Sequence, residues 1–432
     1  MQYTDIETLY ECFKRSKGVV TDSRKCVPGT IFFALKGANF DGNDFAVKAL
    51  NLGCIYAVVD RDDFQDDRRL LLVDDVLRTL QALANWHRRQ FEIPVLAITG
   101  TNGKTTTKEL INAALGTKYS VLCTEGNLNN QIGVPLTLLR MNRNHQYAVI
   151  EMGASHPGDI DELCRIAEPT EGLITNVGKA HLQGFGSFEG VIETKTELYR
   201  YLVQHKGLIY INNEDKILMS KLDSEARIAI YKRDFELADC GQMMGFMYKR
   251  ERYVTHMFGE HNINNVRAAL CVATRNMVAE EDALKAICAY VPDNKRSQIV
   301  TTKSNTLIVD AYNANPTSMS AAVWQFNNNR HFQNKSVILG DMLELGEASR
   351  VEHRTMIEWL KNMDFYSIYL VGNEFCEAMH EVQLGGRDKG RFQTFRDTQE
   401  LMKHLEKEPM RQRTILIKGS RGIALERIIP MV

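Results

Sequence analysis

A glycine-rich turn between an apolar run and a polar helix start is the segment of this sequence with the clearest chemistry. The run Val95-Leu-Ala-Ile98 leads into Thr99-Gly-Thr-Asn-Gly-Lys-Thr105, which we call the phosphate loop. Glycines let backbone N–H groups converge on phosphate oxygens, and a helix starting at Lys104 adds partial positive charge. Lys104 would neutralise the β- and γ-phosphates of ATP, and the Thr105 hydroxyl would ligate Mg²⁺. Ile98 occupies the place of the first glycine of the strict motif, so a turn without a ligand is the alternative.

Several further apolar runs, rich in β-branched residues, end abruptly in polar or glycine residues. Runs this short, separated by segments long enough for helices, predict buried parallel strands in an α/β fold. The runs are 95–98, 147–150, 173–174, 307–309, 337–339 and 415–417. Ligands of open parallel sheets lie beyond the carboxyl ends of the strands, so the residues that follow these runs are candidate site residues. Glu151 follows one run, and it is either a solvated strand-end residue or a Mg²⁺ ligand beside the phosphate loop.

The length of 432 residues suggests about three domains, at roughly 150 residues each. The sequence pattern of residues 1–84 differs from that of the rest of the chain, because it contains shorter strand-like pieces and turn signals. The helical stretch Leu77–Phe91 then leads to Pro94, where the parallel-sheet pattern begins, and a second boundary is expected near 291–294. The predicted domains are 1–84, 85–294 and 295–432.

Composition argues against several classes of function. The formal net charge is −1, which offers no general electrostatic attraction for nucleic acid or an anionic membrane. No apolar run approaches the roughly 18 residues of a membrane helix, and the start of the chain does not resemble a signal peptide. The nine cysteines are never spaced C-x-x-C, which favours free thiols over disulfides or a zinc site. We therefore expect a cytoplasmic protein that neither binds nucleic acid nor inserts into a membrane.

The phosphate loop resembles the nucleotide loop of the Mur ligases and the folylpolyglutamate synthases, and the resemblance extends over nearly the whole chain. These enzymes use ATP to join a carboxylate to an amine. The resemblance implies a small amino-terminal α/β domain that binds UDP, a central parallel-sheet P-loop ATPase domain and a carboxyl-terminal Rossmann-like α/β domain. It also implies an ATP-binding set in the phosphate loop and just after it: Gly100, Thr101, Asn102, Gly103, Lys104, Thr105 and Thr106.

The same resemblance implies further metal-binding positions beside Thr105 and Glu151. His181, in Thr175-Asn-Val-Gly-Lys-Ala-His181, follows another strand end and matches a residue that lies beside the metal. Lys195, taken alone among its neighbouring glutamates, is typical of a solvated helical face. In the Mur ligases the matching lysine is carbamylated by CO₂ and holds a second Mg²⁺, so the resemblance implies a carbamylated Lys195.

Two segments near the second domain boundary resemble nucleotide-binding parts of the family. Gly259–Ala269 resembles its G-x-H-N-x-x-N motif, which implies that Asn265 lies near the nucleotide base. Without the resemblance this segment is typical of an asparagine-capped helix start. Arg296 matches an arginine that reaches the phosphates from the domain junction.

The segment Asp310–Met319 separates the branches of the family most clearly. Its residues end a predicted strand at Asp310 and place Asn315 as an N-cap before Pro316. They resemble the signature of the branch that adds D-alanyl-D-alanine to UDP-N-acetylmuramoyl-tripeptide. The resemblance implies that Asp310 and Asn313 meet the nucleotide when the carboxyl-terminal domain closes. It also implies three residues facing the incoming dipeptide: Lys418, Ser420 and Arg421.

The amino-terminal region supports the same branch. Thr21-Asp-Ser-Arg24 resembles part of the UDP-binding domain that this branch shares with the ligase adding the third amino acid, and Ser23 and Arg24 are the candidate UDP contacts. The D-N-P-R motif of that sibling is absent. The segment 127–135 resembles a loop that meets the sugar–peptide part of the substrate, or else is a polar turn before a helix near Pro135. Its candidate residues are Asn127, Asn129 and Asn130.

Together these resemblances imply a monomeric ligase of peptidoglycan precursor synthesis that works through an acyl phosphate. Lys104, His181, Lys195 and Arg296 are the catalytic candidates, because they would carry metal or stabilise the transferring phosphoryl charge. No residue is an evident base, and His353 and Glu344 are the two suggestions. The alternatives are another amino-acid-adding Mur ligase, a folylpolyglutamate synthase and, in a different class, a nucleotide-driven switch.

Overall fold

The computed structural model describes residues 3–64, 67–231, 234–292, 296–386 and 388–432. Its elements form three regions, each built around a mainly parallel sheet with helices packed against it. The predicted α/β fold with parallel sheets is therefore confirmed. The predicted boundary between 294 and 295 falls outside the described residues. Within the ranges above, no helix has the length and apolar character needed to span a membrane.

The amino-terminal region is a four-stranded parallel sheet of order β1-β2-β5-β6, with a short antiparallel hairpin, β3-β4, beside it. Its last helix, α3, carries apolar residues at helical spacing and packs against helices of both the first and the second region. The elements are α1 (Ile6–Lys14), β1 (Val19–Val20), β2 (Ile31–Phe33), β3 (Lys36–Gly37), β4 (Phe40–Asp41), α2 (Ala46–Asn51), β5 (Tyr56–Val59), β6 (Leu70–Leu72) and α3 (Val76–Arg88).

The central region contains a six-stranded parallel sheet of order β12-β11-β10-β7-β9-β8 and a three-stranded antiparallel sheet, β13-β14-β15. Its elements are β7 (Val95–Thr99), α4 (Lys104–Leu115), β8 (Val121–Cys123), α5 (Gly133–Leu138), β9 (Tyr147–Glu151), α6 (Asp159–Ala167), β10 (Glu171–Ile174), α7 (Leu182–Phe185), α8 (Phe188–Lys195), α9 (Glu197–Gln204), β11 (Leu208–Asn212), α10 (Lys216–Ser220), β12 (Arg227–Tyr231), β13 (Phe235–Cys240), β14 (Met243–Tyr248), β15 (Glu251–Val254), α11 (Asn262–Arg275) and α12 (Glu280–Ala289).

The strand order of the central sheet determines where a ligand can bind. Strands β9 and β10 follow one another in the chain but lie on opposite sides of β7. A crevice opens at such a switch point, beyond the carboxyl end of the strand between the two neighbours. All five residues of β7 are buried, as expected for a strand covered on both faces. The phosphate loop leaves β7 directly into this crevice.

The carboxyl-terminal region is a six-stranded sheet of order β16-β17-β21-β18-β19-β20, in which only β16 runs antiparallel to its neighbour. Its elements are β16 (Gln298–Thr301), β17 (Thr306–Asp310), α13 (Pro316–Asn328), β18 (Lys335–Gly340), α14 (Ser349–Lys361), β19 (Ser367–Val371), α15 (Asn373–Met379), β20 (Phe392–Phe395), α16 (Thr398–Lys407) and β21 (Thr414–Lys418). The carboxyl ends of β17 and β21 face the crevice of the central sheet, because Asp310 and Lys418 line it.

Candidate active site

A cavity of about 680 Å³, here called the cleft, lies between the central and carboxyl-terminal sheets. Many of the predicted site residues line it: Thr101, Asn102, Gly103, Lys104, Thr106, Asn127, Asn129, Asn130, Glu151, His181, Asn265, Arg296, Asp310, Asn313 and Lys418. A smaller cavity of about 320 Å³ lies between the three-stranded sheet and α13 and contains none of the predicted residues. We therefore take the cleft as the candidate active site.

The phosphate loop is held in a shape that needs its glycines. Gly100 and Gly103 have φ values of 137° and 80°, and a Cβ on Gly100 would lie 2.1 Å from Thr175 Oγ1. The Lys104 ammonium folds back over the loop and donates to the carbonyls of Gly100, at 2.8 Å, and Thr101, at 3.3 Å. Burial lowers the pKa of this ammonium. A bound phosphate would offer it a charged partner in place of these two neutral carbonyls.

The two threonines after Lys104 have different positions. Of the described residues, Thr106 lines the cleft, whereas Thr105 is buried at the start of α4 and is not part of the lining. The assignment of Thr105 as a Mg²⁺ ligand therefore stays a prediction.

Glu151 ends β9 with its side chain buried, and within the described part of the chain only one of its carboxylate oxygens has a hydrogen-bond partner. Asn129 Nδ2 donates to Oε1 at 2.8 Å. Oε2 is buried and has no hydrogen-bond partner among the described residues. A buried carboxylate oxygen without a donor is costly, and an oxygen-seeking cation such as Mg²⁺ would satisfy it. Glu151 is therefore not a solvated strand-end residue.

His181 follows the loop after β10 and has a φ of 50°, a conformation uncommon in residues other than glycine. Its imidazole Nδ1 contacts the carboxylate of Glu344, which belongs to the carboxyl-terminal region. Burial lowers the pKa of His181, although the nearby Glu344 carboxylate acts in the opposite direction. A neutral imidazole is the form that ligates metals.

Lys195 ends α8 and is 2% exposed, so the interpretation as a solvated helical face is wrong. The ammonium lies 5.5 Å above the ring of Phe185, and no described carboxylate forms an ion pair with it. Burial lowers its pKa well below the ordinary lysine value, and the charge of Lys104 adds to this. The physical cause is desolvation, which favours the neutral amine.

Residues of the carboxyl-terminal region meet the phosphate loop directly. Asn315 Nδ2 donates to Asn102 Oδ1 at 2.8 Å, while the Asn315 side-chain oxygen caps α13. Arg296 stacks on Tyr312 with its guanidinium 3.9 Å from the ring centroid, and its Nε is buried without a hydrogen-bond partner among the described residues. The Asn315–Asn102 hydrogen bond joins the carboxyl-terminal region to the phosphate loop across the cleft.

Lys418, which is buried, and Asp310, whose side chain is 20% exposed, form an ion pair with an oxygen–nitrogen distance of 2.5 Å. Lys418 also donates to the carbonyl of Asn313 at 3.1 Å. Burial is the largest influence on the pKa of Asp310 and would raise it, but the Lys418 ammonium, His261 and the Ser297 N–H together hold the pKa below its usual value. The Lys418 ammonium, predicted to face a dipeptide, thus already has a carboxylate partner.

The predicted nucleotide-base contact, Asn265, is buried in α11 beneath the phosphate loop. Its side-chain oxygen accepts from Thr107 Oγ1 at 3.0 Å, and its Nδ2 donates to Asn262 Oδ1 at 2.9 Å. A Cβ on Gly103 would lie 2.8 Å from this oxygen. Asn265 therefore supports the loop, and its contact with a base stays a prediction.

The candidate substrate residues fall in three places. Asn127, Asn129 and Asn130 line the cleft, and the following helix begins at Gly133 with Asn130 Oδ1 accepting from its N–H. Ser420 and Arg421 line an adjoining cavity of about 190 Å³. Ser23 and Arg24 lie in the amino-terminal region and do not line the cleft. Arg24 forms an ion pair there with its neighbour Asp22 at 2.8 Å.

The two suggested bases differ sharply. His353 is fully buried: its Nε2 accepts from the Met342 N–H at 3.0 Å, and its Nδ1 lies 2.7 Å from the carbonyl oxygen of Ser349. Both ring nitrogens are thus engaged away from the cleft, so the suggestion of His353 as a base is wrong. Glu344 lines the cleft beside His181 and stays a prediction.

Sequence reasoning left out several residues that line the cleft. Asn176 directly follows β10, and its side-chain oxygen accepts from the Asn102 N–H at 3.0 Å. The strand-end rule could have found it. The charge of Asp159, at the start of α6, raises the pKa of Lys195, and the ring of Tyr312 stacks against the Arg296 guanidinium. Neither had a spacing signal of its own.

Three family models match the chain in succession. They are described as the Mur ligase family catalytic domain (15–88), the Mur ligase middle domain (98–273) and the Mur ligase glutamate ligase domain (295–421). A folylpolyglutamate synthase of Mycobacterium tuberculosis superposes with a TM-score of 0.62 at 17% identity, covering 82% of this chain and 94% of that one. That likeness shows a shared fold alone.

Several proteins are more similar to this chain than that folylpolyglutamate synthase is, and they are named either as one and the same ligase or as MurF. The UDP-N-acetylmuramoyl-tripeptide–D-alanyl-D-alanine ligase of Bacillus subtilis is 35% identical over 95% of this chain and 92% of its own. Its counterpart in Escherichia coli is 32% identical over 95% and 92%. Among solved structures, MurF from Acinetobacter baumannii has a TM-score of 0.85 at 29% identity, covering 100% and 98%. MurF from Thermotoga maritima in complex with ADP has a TM-score of 0.82 at 27% identity, covering 98% and 97%. The chain belongs to the Mur ligase family and groups with its MurF members.

Proposed function

We propose that this protein is an ATP-dependent ligase that adds D-alanyl-D-alanine to UDP-N-acetylmuramoyl-tripeptide, releasing ADP and phosphate. The observation that carries this proposal is the convergence of three features on one cleft: the phosphate loop, the segment that follows β17, and a buried Glu151 oxygen that has no hydrogen-bond partner among the described residues. Relatives that are 35% and 32% identical to this chain, matched over 92% of their own length, carry this activity in their names.

The proposed division of labour follows the three sheets. Domain 1–84 would bind the UDP part through Ser23 and Arg24, domain 85–294 would bind ATP, and domain 295–432 would close over the nucleotide and bring the dipeptide. The separate hydrophobic cores of the central and carboxyl-terminal sheets support the boundary between the second and third domains, whereas the first domain shares a core with the second. We further propose that the protein is cytoplasmic and that it is a monomer. Sedimentation at micromolar concentration would test the oligomeric state.

The ATP triphosphate would lie along the phosphate loop, between Gly100 and Thr106. Lys104 and Arg296 would bind its terminal phosphates, since both line the cleft and neither has a carboxylate partner among the described residues. Asp310 and Asn313 would complete the nucleotide site from the carboxyl-terminal side, and Asn265 from beneath the loop. Catalysis of phosphoryl transfer depends mostly on such positioning and charge stabilisation.

The donors around the cleft fit magnesium. In the cleft, Glu151 offers a buried oxygen that has no donor among the described residues, and His181 offers an imidazole whose pKa is lowered by burial. Thr105, buried at the start of α4 and outside the cleft lining, would add a hydroxyl. Lys195 would serve as a ligand after carbamylation, because a neutral buried amine is the form that reacts with CO₂ and the carbamate carries the negative charge a cation needs. When bound, Mg²⁺ supplies charge stabilisation to the transferring phosphoryl group.

The chemistry divides into two steps. The carboxylate of the tripeptide attacks the γ-phosphorus of ATP, ADP departs, and an acyl phosphate results. The amine of D-alanyl-D-alanine, after losing a proton, attacks the acyl carbon, and the tetrahedral intermediate expels phosphate as the amide forms. Asn127, Asn129 and Asn130 would orient the acceptor peptide, while Lys418, Ser420 and Arg421 would bound the space for the dipeptide. Closure of the two sheets excludes water from the acyl phosphate.

One assay separates this proposal from its alternatives. Phosphate release from ATP should require both UDP-N-acetylmuramoyl-tripeptide and D-alanyl-D-alanine. Release that depends on a folate and glutamate would favour a folylpolyglutamate synthase, and dependence on another amino acid would favour a different Mur ligase. ATP turnover that is indifferent to all of these would favour a nucleotide-driven switch.

The carbamate on Lys195 has its own test. In ¹³C-labelled bicarbonate, the protein should show a carbamate carbon resonance that disappears in Lys195→Met. A matched variant, Lys335→Met, changes a lysine outside the cleft and should keep the resonance. A spectrum without that resonance in the active protein would contradict carbamylation.

A further inference from the structure

A lysine that the proposed mechanism does not use is fully buried beside the phosphate loop. Lys108 lies on α4, one turn after Lys104, and its side chain is 0% exposed. Its ammonium donates to the carbonyl of Thr124 at 2.6 Å and pairs with Glu109 at 2.7 Å. Lysine is almost never fully buried without such partners, because removing its charge from water is costly.

Thr124, the residue that Lys108 holds, connects two strands at their carboxyl ends. It follows β8, is 1% exposed, and donates its N–H to the carbonyl of Val149 in β9 at 3.0 Å. Its hydroxyl oxygen accepts from the N–H of Glu151 at 2.9 Å. Thr124 is thus hydrogen-bonded both to the Lys108 ammonium and to the backbone N–H of Glu151.

The network continues from Glu151 into the loop 125–132, which we call the acceptor loop. Asn129 Nδ2 donates to Glu151 Oε1 at 2.8 Å, and the Asn129 carbonyl accepts from the N–H of Gly153 at 2.7 Å. A Cβ on Gly153 would lie 3.0 Å from Asn129 Oδ1, so the acceptor loop is packed closely against the end of β9. One hydrogen-bonded chain therefore runs from α4 through Thr124 and Glu151 to the acceptor loop.

We propose that Lys108 is a positioning residue that fixes the Glu151 carboxylate and the acceptor loop relative to the phosphate loop. This inference rests on the proposed function, since it assigns those three parts to metal, peptide substrate and ATP. Stability alone gives little reason for a charge here, because buried ion pairs are often replaced by apolar residues without loss. A rigid link between α4, which follows the phosphate loop, and the Glu151 carboxylate does explain a charged residue at this position.

The test compares Lys108→Met with two other variants. Lys335→Met is the matched control, because Lys335 also donates to a backbone carbonyl, that of Asn327, but lies outside the cleft. Thr124→Val removes only the acceptor of the Glu151 N–H. For each variant, kcat, the KM of each substrate, the half-saturating Mg²⁺ concentration and the thermal midpoint are measured.

We expect Lys108→Met to raise the half-saturating Mg²⁺ concentration and the KM for UDP-N-acetylmuramoyl-tripeptide about tenfold, as loss of outer partners of metal ligands does. The KM for D-alanyl-D-alanine should not change, because its proposed site lies on the other sheet. Thr124→Val should raise the Mg²⁺ requirement, and Lys335→Met should change neither. A merely structural lysine would instead lower activity toward all substrates in proportion to the unfolded fraction.

Titration of the protein with ADP at several Mg²⁺ concentrations repeats the comparison without the coupling reaction. Unchanged Mg²⁺ dependence in folded Lys108→Met overturns the positioning role, whether or not the wild type couples its substrates. A wild type that couples no amide would contradict the proposed function instead, so the two failures are distinguishable.

Discussion

Replacing Lys418 by methionine would leave the carboxylate of Asp310 buried without its ion-pair partner. The Lys418 and Asp310 side chains are only 2% and 20% exposed, and their charged atoms are 2.5 Å apart. Among the described residues, the remaining donor to Asp310 is the N–H of Ser297, at the longer distance of 3.3 Å. Methionine keeps the length of the lysine chain, so the variant removes the charge with little change in packing.

The expected loss of stability follows from the burial of the pair. Removing one partner of a buried ion pair costs about 3–5 kcal/mol. For a domain about the size of the carboxyl-terminal region, each kcal/mol of lost stability lowers the thermal midpoint by about 2–4 °C. The unfolding midpoint of that region should therefore fall by roughly 6–20 °C. Circular dichroism melts of both proteins measure this shift.

The pH dependence gives the effect a definite sign. In the wild type, Lys418 holds the pKa of Asp310 below its ordinary value, so the pair stabilises the fold above that value and less as the pH falls. In Lys418→Met the largest remaining influence is burial, which raises the pKa of Asp310, while His261 and the Ser297 N–H still lower it. The pKa should therefore rise relative to the wild type, and protonation then relieves the penalty as the pH falls through the raised value. The difference in midpoint should therefore be largest near neutral pH and shrink in acid.

Two outcomes would refute this reasoning. The first is a midpoint of Lys418→Met equal to that of the wild type near neutral pH, and the second is a difference that grows in acid. The double variant Asp310→Asn/Lys418→Met is the internal control, because it removes the unpaired charge and should recover part of the lost stability.

Further predictions concern the domain contact and the excluded base. Asn315→Asp keeps the oxygen that caps α13 but loses the amide that donates to Asn102, so the KM for ATP should rise several-fold with little change in thermal midpoint; an unchanged KM would contradict the contact. Asn315→Ala also loses the cap and should be less stable by about 1 kcal/mol. His353→Leu leaves the Met342 N–H unpaired and should cost about 1–3 kcal/mol of stability without altering the pH profile of kcat; a lost limb of that profile would argue for a base. Glu344→Ala should lower kcat, since it frees the His181 imidazole, and an undiminished kcat would exclude that role.

The sequence predicted the parts of the site that depend on local pattern. The phosphate loop, the strand end at Glu151 and the N-cap at Asn315 each follow from residue types within one short segment, and the structure has the corresponding strand ends and helix starts. The order of the central sheet, which puts β7 between β9 and β10, then explains why Glu151 and the phosphate loop meet.

The parts that sequence reasoning missed depend on contacts between distant segments. The spacing of Lys195 among glutamates is typical of a surface helix, and only the packing of α8 shows its burial. Lys108 resembles any lysine on an amphipathic helix until Thr124 is placed beside it. His353 could be excluded as a base only once the structure showed its ring buried, with one nitrogen at the Met342 N–H and the other at the Ser349 carbonyl.

The most direct test of the proposed activity follows the amide product by mass spectrometry in the wild type and in Lys104→Met. The wild type, given ATP, UDP-N-acetylmuramoyl-tripeptide and D-alanyl-D-alanine, should form the pentapeptide product in step with ADP. Because Lys104 is proposed to carry the charge that stabilises the transferring phosphoryl group, its loss should reduce product formation at least about 100-fold while the protein stays folded. Undiminished product from folded Lys104→Met would contradict the role assigned to the phosphate loop.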